Sequence, residues 1–513
     1  MFAHVLSGAV IGVDAVPVTV EVDLGPGLQA FHIAGLPDGA VREARVRVKA
    51  AIENTGFDWP MRRISLNLAP ADLRKDGSAY DLPIALAVMA ADGLLRPREV
   101  DALAPYLVAG ELSLDGLLRP VRGALSLAIC AREAGMRGII LPRENVAEAS
   151  LVVGLNVVGC GSLGDAIRFA KGEGEDWITC TESATTLMSD RSYPFDMGDV
   201  AGQYQAKRAL EVAAAGGHNV LMVGPPGSGK TMLSKRIVTI LPELTFEEAL
   251  ETTQVFSVAG LTDSTGLISC RPFRAPHHTI SDVGMVGGGS GIPRPGEISL
   301  SHNGVLFLDE LPEFRRHVLE VLRQPLEDKR VTITRSLVTV NFPASIMLVA
   351  SMNPCPCGYA AGGGRPCTCR PDQIESYRQR ISGPLMDRID LHVDVPAVAY
   401  SALRGQSDAE SSALIRARVE RARRIQRERF EGTEVYCNAQ MTPAQMREHT
   451  ELDAEGHRLM ETVVDRLGMS ARAYDRIRKV ARTIADLDDG GPIRADHLSE
   501  AVHYRKLDRT PRR

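Results

Sequence analysis

The sequence predicts a multidomain α/β protein, and three observations carry that prediction. A Gly-x4-Gly-Lys-Thr loop, Gly224 to Thr231, follows the apolar run Val220–Val223 and opens a helix near Met232. Two further apolar runs, Val305–Leu308 and Ile346–Ala350, have the length and content of buried parallel strands. After Pro396 the chain turns charged and helical. Each apolar run ends in residues with chemical potential, at the strand C-termini where open α/β sheets place ligands.

With 513 residues, the chain has room for two or three domains. Its composition, 44% hydrophobic and 24% charged, is that of an ordinary globular protein. A formal net charge of −5 does not advertise nucleic-acid binding, although whole-chain charge averages away local basic patches. Met1 to Val16 carries Asp14 and no basic run, so it does not read as a secretory signal. The longest apolar run, around Leu82–Ala91, contains Pro83 and is too short to span a bilayer. A soluble cytoplasmic protein with no membrane partner is expected. In that reducing compartment clustered cysteines suggest metal more than disulfide.

The elements follow in order. Residues 1–171 mix strand and helix patterns: Val18–Val22 and Ile64–Leu68 alternate as half-buried strands, and Ala40–Asn54 has helical spacing. Asp81 enters a helix with Pro83 in its first turn. This is an α+β or α/β domain. Residues 172–198 are acidic, Ser/Thr-rich and poorly periodic, a linker pattern. Residues 199–396 form the α/β core, and 397–513 a helical domain in which Ser411–Phe430 and Ser470–Leu487 are clear amphipathic helices. Gly-rich loops fall at 287–291 and 362–364.

The loop Gly224-Pro225-Pro226-Gly227-Ser228-Gly229-Lys230-Thr231 is a P-loop. Its glycines let backbone N–H groups curl around phosphates, and the following helix N-terminus adds positive potential. Lys230 reaches the β/γ-phosphates and the Thr231 hydroxyl ligates Mg²⁺, so the implied cofactors are ATP and Mg²⁺. Asp309 and Glu310 close the run Val305–Leu308. Asp309 would serve the metal and Glu310 would polarise the attacking water. Asn353, in Ser351-Met352-Asn353, either orients that water or is a turn residue before Pro354. Arg388 either projects into a neighbouring subunit's site or pairs with Asp387 or Asp390.

Cys355-x-Cys357-x9-Cys367-x-Cys369 supplies the four thiols a tetrahedral zinc site wants, although Cys-x-Cys is tighter than the usual knuckle; the other reading is a free-thiol loop. A complete thiolate set leaves no open position for catalysis. Arg330–Val340 reads as a β-hairpin with Arg335-Ser336 at its tip. Arg335 is either a DNA contact or a solvated arginine. His277, His278 and Glu297 are read as structural, because adjacent histidines point in different directions.

These residues resemble the YifB/ComM family of Mg-chelatase-like AAA+ ATPases. The resemblance runs over essentially the whole chain. It is carried by Ala34–Asp38, Asn67–Leu73, Ala206–Leu210, Phe273–Thr279, Arg294–Glu297 with Ser301–Gly304, and Asn353–Gly358. It implies an N-terminal domain similar to the Lon protease fold (ribosomal S5 domain 2-like), an AAA+ core of the helix-2-insert class and a helical lid. Asn353 then looks like sensor 1, Arg388 like the arginine finger and Arg472 like sensor 2. Phe273–Pro295 would be the helix-2 insert and Arg330–Val340 the presensor hairpin. The resemblance also implies a homo-hexameric ring with ATP sites between subunits. Ala79 stands where Lon carries its nucleophile and Leu125 where it carries its lysine, so no peptidase activity is expected. The function implied is an ATP-driven remodeller of single-stranded or branched DNA, helicase-like, acting in recombination and natural transformation. The alternatives are a Mg-chelatase-type motor subunit and an ATP-dependent protein-remodelling chaperone.

Overall fold

The computed structural model describes residues 1–173, 177–180, 193–262, 266–289, 291–335, 338–360, 365–397, 410–467 and 469–505. Most of the expected linker, the Gly-rich stretch 362–364 and Ser336 at the hairpin tip therefore lie outside the described residues.

The N-terminal part opens with a long hairpin, β1 (Phe2–Ile11) and β2 (Asp14–Gly25), in which Ile11 pairs with Asp14. Only Gly12 and Val13 lie between, and Gly12 takes φ 69°, as a two-residue hairpin loop requires. Val18, Val20 and Val22 all face the core, which is why the alternation reads cleanly. β3 (Ala30–Ala34) and β4 (Arg63–Ala69) complete a sheet of order β1-β2-β4-β3. Helices α1 (Gly39–Asn54) and α2 (Asp81–Asp92) pack together, α1 capped by Asp38. A second sheet contains β5 (Tyr106–Val108), β6 (Gly138–Pro142), β7 (Asn156–Cys160) and β8 (Ile178–Thr179) in the order β8-β7-β6-β5. α3 (Ala124–Glu133) and α4 (Leu163–Ala170) cover it.

The core is a five-stranded parallel sheet. Its strands are β9 (Val220–Val223), β10 (Phe273–Arg274), β11 (Val305–Leu308), β14 (Met347–Met352) and β15 (Leu391–Asp394), in the order β10-β11-β14-β9-β15. The antiparallel hairpin β12 (Arg330–Thr334) and β13 (Thr339–Pro343) stands apart from it. α5 (Tyr204–Gly216) and α6 (Lys230–Arg236) pack on this sheet, and α7 (Phe246–Ala259) packs on α3 of the N-terminal part. The sequence foresaw three of the five strands. β14 begins one residue and ends two residues later than expected, so Asn353 follows its end directly.

The C-terminal helices are α8 (Ser412–Arg429), α9 (Ala454–Leu467), α10 (Ala471–Leu487) and α11 (Ala495–His503). Ile415, Val419 and Ile477 share one apolar cluster with Val220, Met222 and the α5 alanines. The N-terminal part is likewise packed on the core: Leu125, Leu127 and Val157 cluster with Leu244, Ala249 and Leu267. The Gly12 turn meets the hairpin so closely that a Cβ there would lie 2.6 Å from Val340 Cγ1. Among the described residues, no helix is long and apolar enough to cross a membrane.

Candidate nucleotide site and cysteine cluster

β9 delivers the P-loop to the C-terminal edge of the parallel sheet, between β14 and β15. Gly224 is there because a Cβ would lie 2.1 Å from the Val395 carbonyl oxygen of β15's exit. Gly229 adopts φ 91° immediately before α6. The loop fits a phosphate chain. The Ser228 hydroxyl is buried without a hydrogen-bond partner, and the Lys230 ammonium folds back onto the Gly224 and Pro225 carbonyls at 2.8 and 2.9 Å. Burial lowers the Lys230 pKa, against the opposing fields of Asp309 and Glu310. An incoming phosphate would give this buried cation an anionic partner in place of neutral carbonyls.

Gln203 braces the loop from outside, donating to the Ser228 and Pro396 carbonyls at 3.2 and 2.7 Å. No motif pointed to Gln203.

The acidic residues converge on this loop. Thr231 Oγ1 donates to Asp309 Oδ2 at 2.8 Å, and the Ser351 hydroxyl donates to Asp309 Oδ1. Leu308 pairs with Ala350 across β11 and β14, which sets the next residues, Asp309 and Ser351, side by side. Lys230 Nζ also reaches Asn353 Oδ1 at 3.3 Å. Thus Thr231, Asp309, Lys230 and Asn353 lie in one site. Ser351 was missed as a participant, and only strand register would have found it.

Glu310 is exposed and holds a non-glycine φ of 53°. His278 Nδ1 lies 3.9 Å from Glu310 Oε2, which brings one of the two histidines read as structural to the candidate base. Glu297 takes a bidentate bond from Arg274, both contacts at 2.7 Å.

Arg388 and Arg472 are elsewhere. Both line a cavity of about 370 Å³ together with Asn219, Asp387, Asp390 and Arg476. Asn219 precedes β9, whereas the P-loop follows it, so this cavity opens at the opposite end of the sheet. Arg388 pairs with neither Asp387 nor Asp390. Its guanidinium meets Glu327 and the Arg323 and Pro384 carbonyls, while Asp387 pairs with Arg472 at 3.6 Å and Asp390 with Arg476.

The four thiols of Cys355, Cys357, Cys367 and Cys369 lie within 4.8 Å of one another. In the N-terminal part, Ala79 packs on the apolar cluster that contains the fully buried Leu125. Asp76 beside it accepts from the Ile292 N–H at 3.0 Å, joining the two parts of the chain. Arg335 at the hairpin is exposed.

A strand, phosphate loop and helix, with an acidic pair closing a parallel strand one place removed across β14, define a P-loop nucleotide-binding protein. Residues 196–403 match the family model for magnesium chelatase, subunit ChlI, and residues 20–145 that for subunit ChlI of Mg-chelatase. Residues 409–505 match the subunit ChlI C-terminal model. The chain is 43% identical to the uncharacterized protein YifB of Escherichia coli K12, over 98% of this chain and 96% of that one. It is 43% identical to the competence protein ComM of Haemophilus influenzae, over 98% and 97%. A shorter likeness, 29% over 162 residues, links it to Lon protease 2 of Bacillus subtilis, covering 29% of this chain and 28% of the protease. The chain belongs to the YifB/ComM family of magnesium-chelatase-like AAA+ proteins.

Proposed function

We propose that this chain is an ATP-hydrolysing AAA+ motor that remodels branched or single-stranded DNA during recombination of incoming DNA. The observation that carries the ATPase is the convergence of Thr231, Asp309, Lys230 and Asn353 at one sheet edge. Gly224–Thr231 would wrap the phosphates, and Thr231 with Asp309 would hold the Mg²⁺ that neutralises them. Glu310 takes the proton of the attacking water, and Asn353 orients that water from the facing strand. In a homo-hexamer, Arg388 and Arg472 act on a neighbour's nucleotide. A four-residue strand spans about 13 Å, so neither can reach its own P-loop from the far end of β9.

The DNA reading rests on the likeness to ComM, a competence protein by name, and on the exposed Arg335 at the presensor hairpin. Residues 1–171 form a Lon-like domain, 199–396 an AAA+ core of the helix-2-insert class, and 397–513 the lid. The Lon-like domain is not a peptidase: Ala79 and Leu125 offer a methyl and an isobutyl group where a serine and a lysine would be needed. It serves as a docking and bracing module, located in the cytoplasm with the rest of the chain.

The test is ATPase stimulation by forked, four-way-junction and single-stranded DNA, with strand displacement on the branched substrates at low salt. ATP-dependent displacement is expected, weakening steeply as salt rises. An active ATPase that neither responds to DNA nor displaces strands would leave the motor but remove DNA as its substrate.

A further inference from the structure

The cysteine cluster is built into the nucleotide site. Cys355 follows Asn353 by one proline, so the cluster starts where β14 ends. Gly358, at φ 89°, presses on the phosphate loop: a Cβ there would lie 2.6 Å from Pro226 Cδ. On the far side, the helix Pro371–Arg378 begins two residues after Cys369 and brings the buried Tyr377 phenol to the Asn353 backbone. Both ends of the cysteine loop therefore bear on Asn353, and Gly358, next to Cys357, bears on Pro226.

The sulfur geometry fits a single small ion. Four thiolates bonded to zinc at about 2.3 Å form a tetrahedron with edges of about 3.8 Å. Cys355 Sγ lies 3.3 Å from Cys357 Sγ and 3.7 Å from Cys367 Sγ, and Cys357 and Cys367 are 3.5 Å apart. The Cys357 N–H donates to Cys369 Sγ at 3.4 Å, a bond that steadies a thiolate ligand. An iron–sulfur cluster divides its four thiolates among two or four irons around inorganic sulfide, which sets those on different irons further apart than this.

We propose that Cys355, Cys357, Cys367 and Cys369 bind one Zn²⁺ as a staple that fixes the Asn353 turn and seats Gly358 on the P-loop. The four thiols release four protons as their sulfurs bond the ion, giving a site of net charge −2. No ligand position stays open, so the ion shapes the site and does no chemistry on substrate. Its effect on ATP rests on the nucleotide-site reading above; the binding of zinc does not.

The experiment uses the full chain purified under reducing conditions without added metal. Elemental analysis is expected to find about one zinc per chain. C367S, at the exposed ligand, and C369S are expected to lose the metal while still unfolding cooperatively, and to bind a fluorescent ATP analogue about tenfold more weakly. K230A is expected to keep its zinc and lose the nucleotide. Stripping zinc from the unmutated chain with a mercurial reagent repeats the measurement without a substitution. A chain with no metal and four freely reactive thiols, or one holding iron, overturns the site. Zinc loss with unchanged nucleotide affinity overturns the staple. Zinc present in a chain that binds no nucleotide overturns the ATPase reading and leaves the zinc site standing.

Discussion

Glu310 Oε2 lies 3.9 Å from His278 Nδ1, on a backbone that Glu310 itself turns through the left-handed region at φ 53°. A glutamate pays about 1 kcal/mol or more for that conformation, and side chains such as asparagine tolerate it better. The strain aims the carboxylate outward from the end of β11. Glu310→Asn is therefore expected to raise thermal stability by up to about 1 kcal/mol while abolishing turnover. Glu310→Gln is expected to retain ATP binding and lose about 10²-fold or more in kcat. Calorimetry and single-turnover hydrolysis check the two halves separately. Normal hydrolysis by the Gln variant would remove Glu310 as the base.

Thr231, Asp309 and Ser351 form a hydrogen-bonded chain that fixes the carboxylate from both sides. Removing Ser351 loosens Asp309, which keeps its charge and its bonds from Thr231 and the Glu310 N–H. Ser351→Ala should raise the Mg²⁺ concentration for half-maximal ATPase by about tenfold, with kcat at saturating Mg²⁺ little changed. Asp309→Ala should not be rescued by Mg²⁺ at all. A Mg²⁺ titration of both variants separates positioning from ligation.

Arg388 and Arg472 share a cavity at the opposite end of the strands from Lys230. In a ring, each is expected to complete a neighbour's site. Lys230→Ala and Arg388→Ala chains are each inactive alone under this arrangement. Mixed together, they juxtapose an intact P-loop on one subunit with an intact arginine on the next, so ATPase activity should return in part. The same holds for Lys230→Ala with Arg472→Ala. Mixtures that stay inactive while forming rings would place both arginines outside the catalytic interface.

The sequence made the phosphate loop, the acidic pair and β9, β11 and β14 legible, because each is a local pattern: an apolar run followed by chemistry. β10 was invisible at two residues, and β15 was hidden because His392 and Asp394 break its apolar run. Ser351 needed the pairing of Leu308 with Ala350, and Glu327 as the partner of Arg388 needed the tertiary fold. The composition of 172–198 reads as an interdomain linker and says nothing of how the parts pack. The contacts of Gly12 with Val340 and of Asp76 with Ile292 join residues far apart in the chain, and no local pattern announces them.

His392 lies on β15 at the foot of the C-terminal helices, buried, with neither ring nitrogen hydrogen-bonded. Burial and the nearby Arg505 push its pKa down to about 3, so it stays neutral when folded over most of the acid range. An unfolded histidine titrates near 6.5. Below that pH the unfolded chain binds a proton that the folded chain refuses, so stability falls as pH drops from about 6.5 towards 3. Asp390 acts in the same direction further down. Burial would raise its pKa, but Arg476 and His218 overcome burial and hold it well below the ordinary carboxylate range. Its contribution is present above about pH 4 and is lost on further acidification. His392→Leu replaces the ring by an apolar side chain of similar size and removes only the first of these effects. The slope of unfolding free energy against pH between 4 and 6 should then fall by about 1.4 kcal/mol per pH unit, while stability at pH 8 changes little. Urea unfolding across that range measures it. An unchanged slope would mean that His392 is protonated in the folded chain, which its buried, unpartnered ring nitrogens argue against.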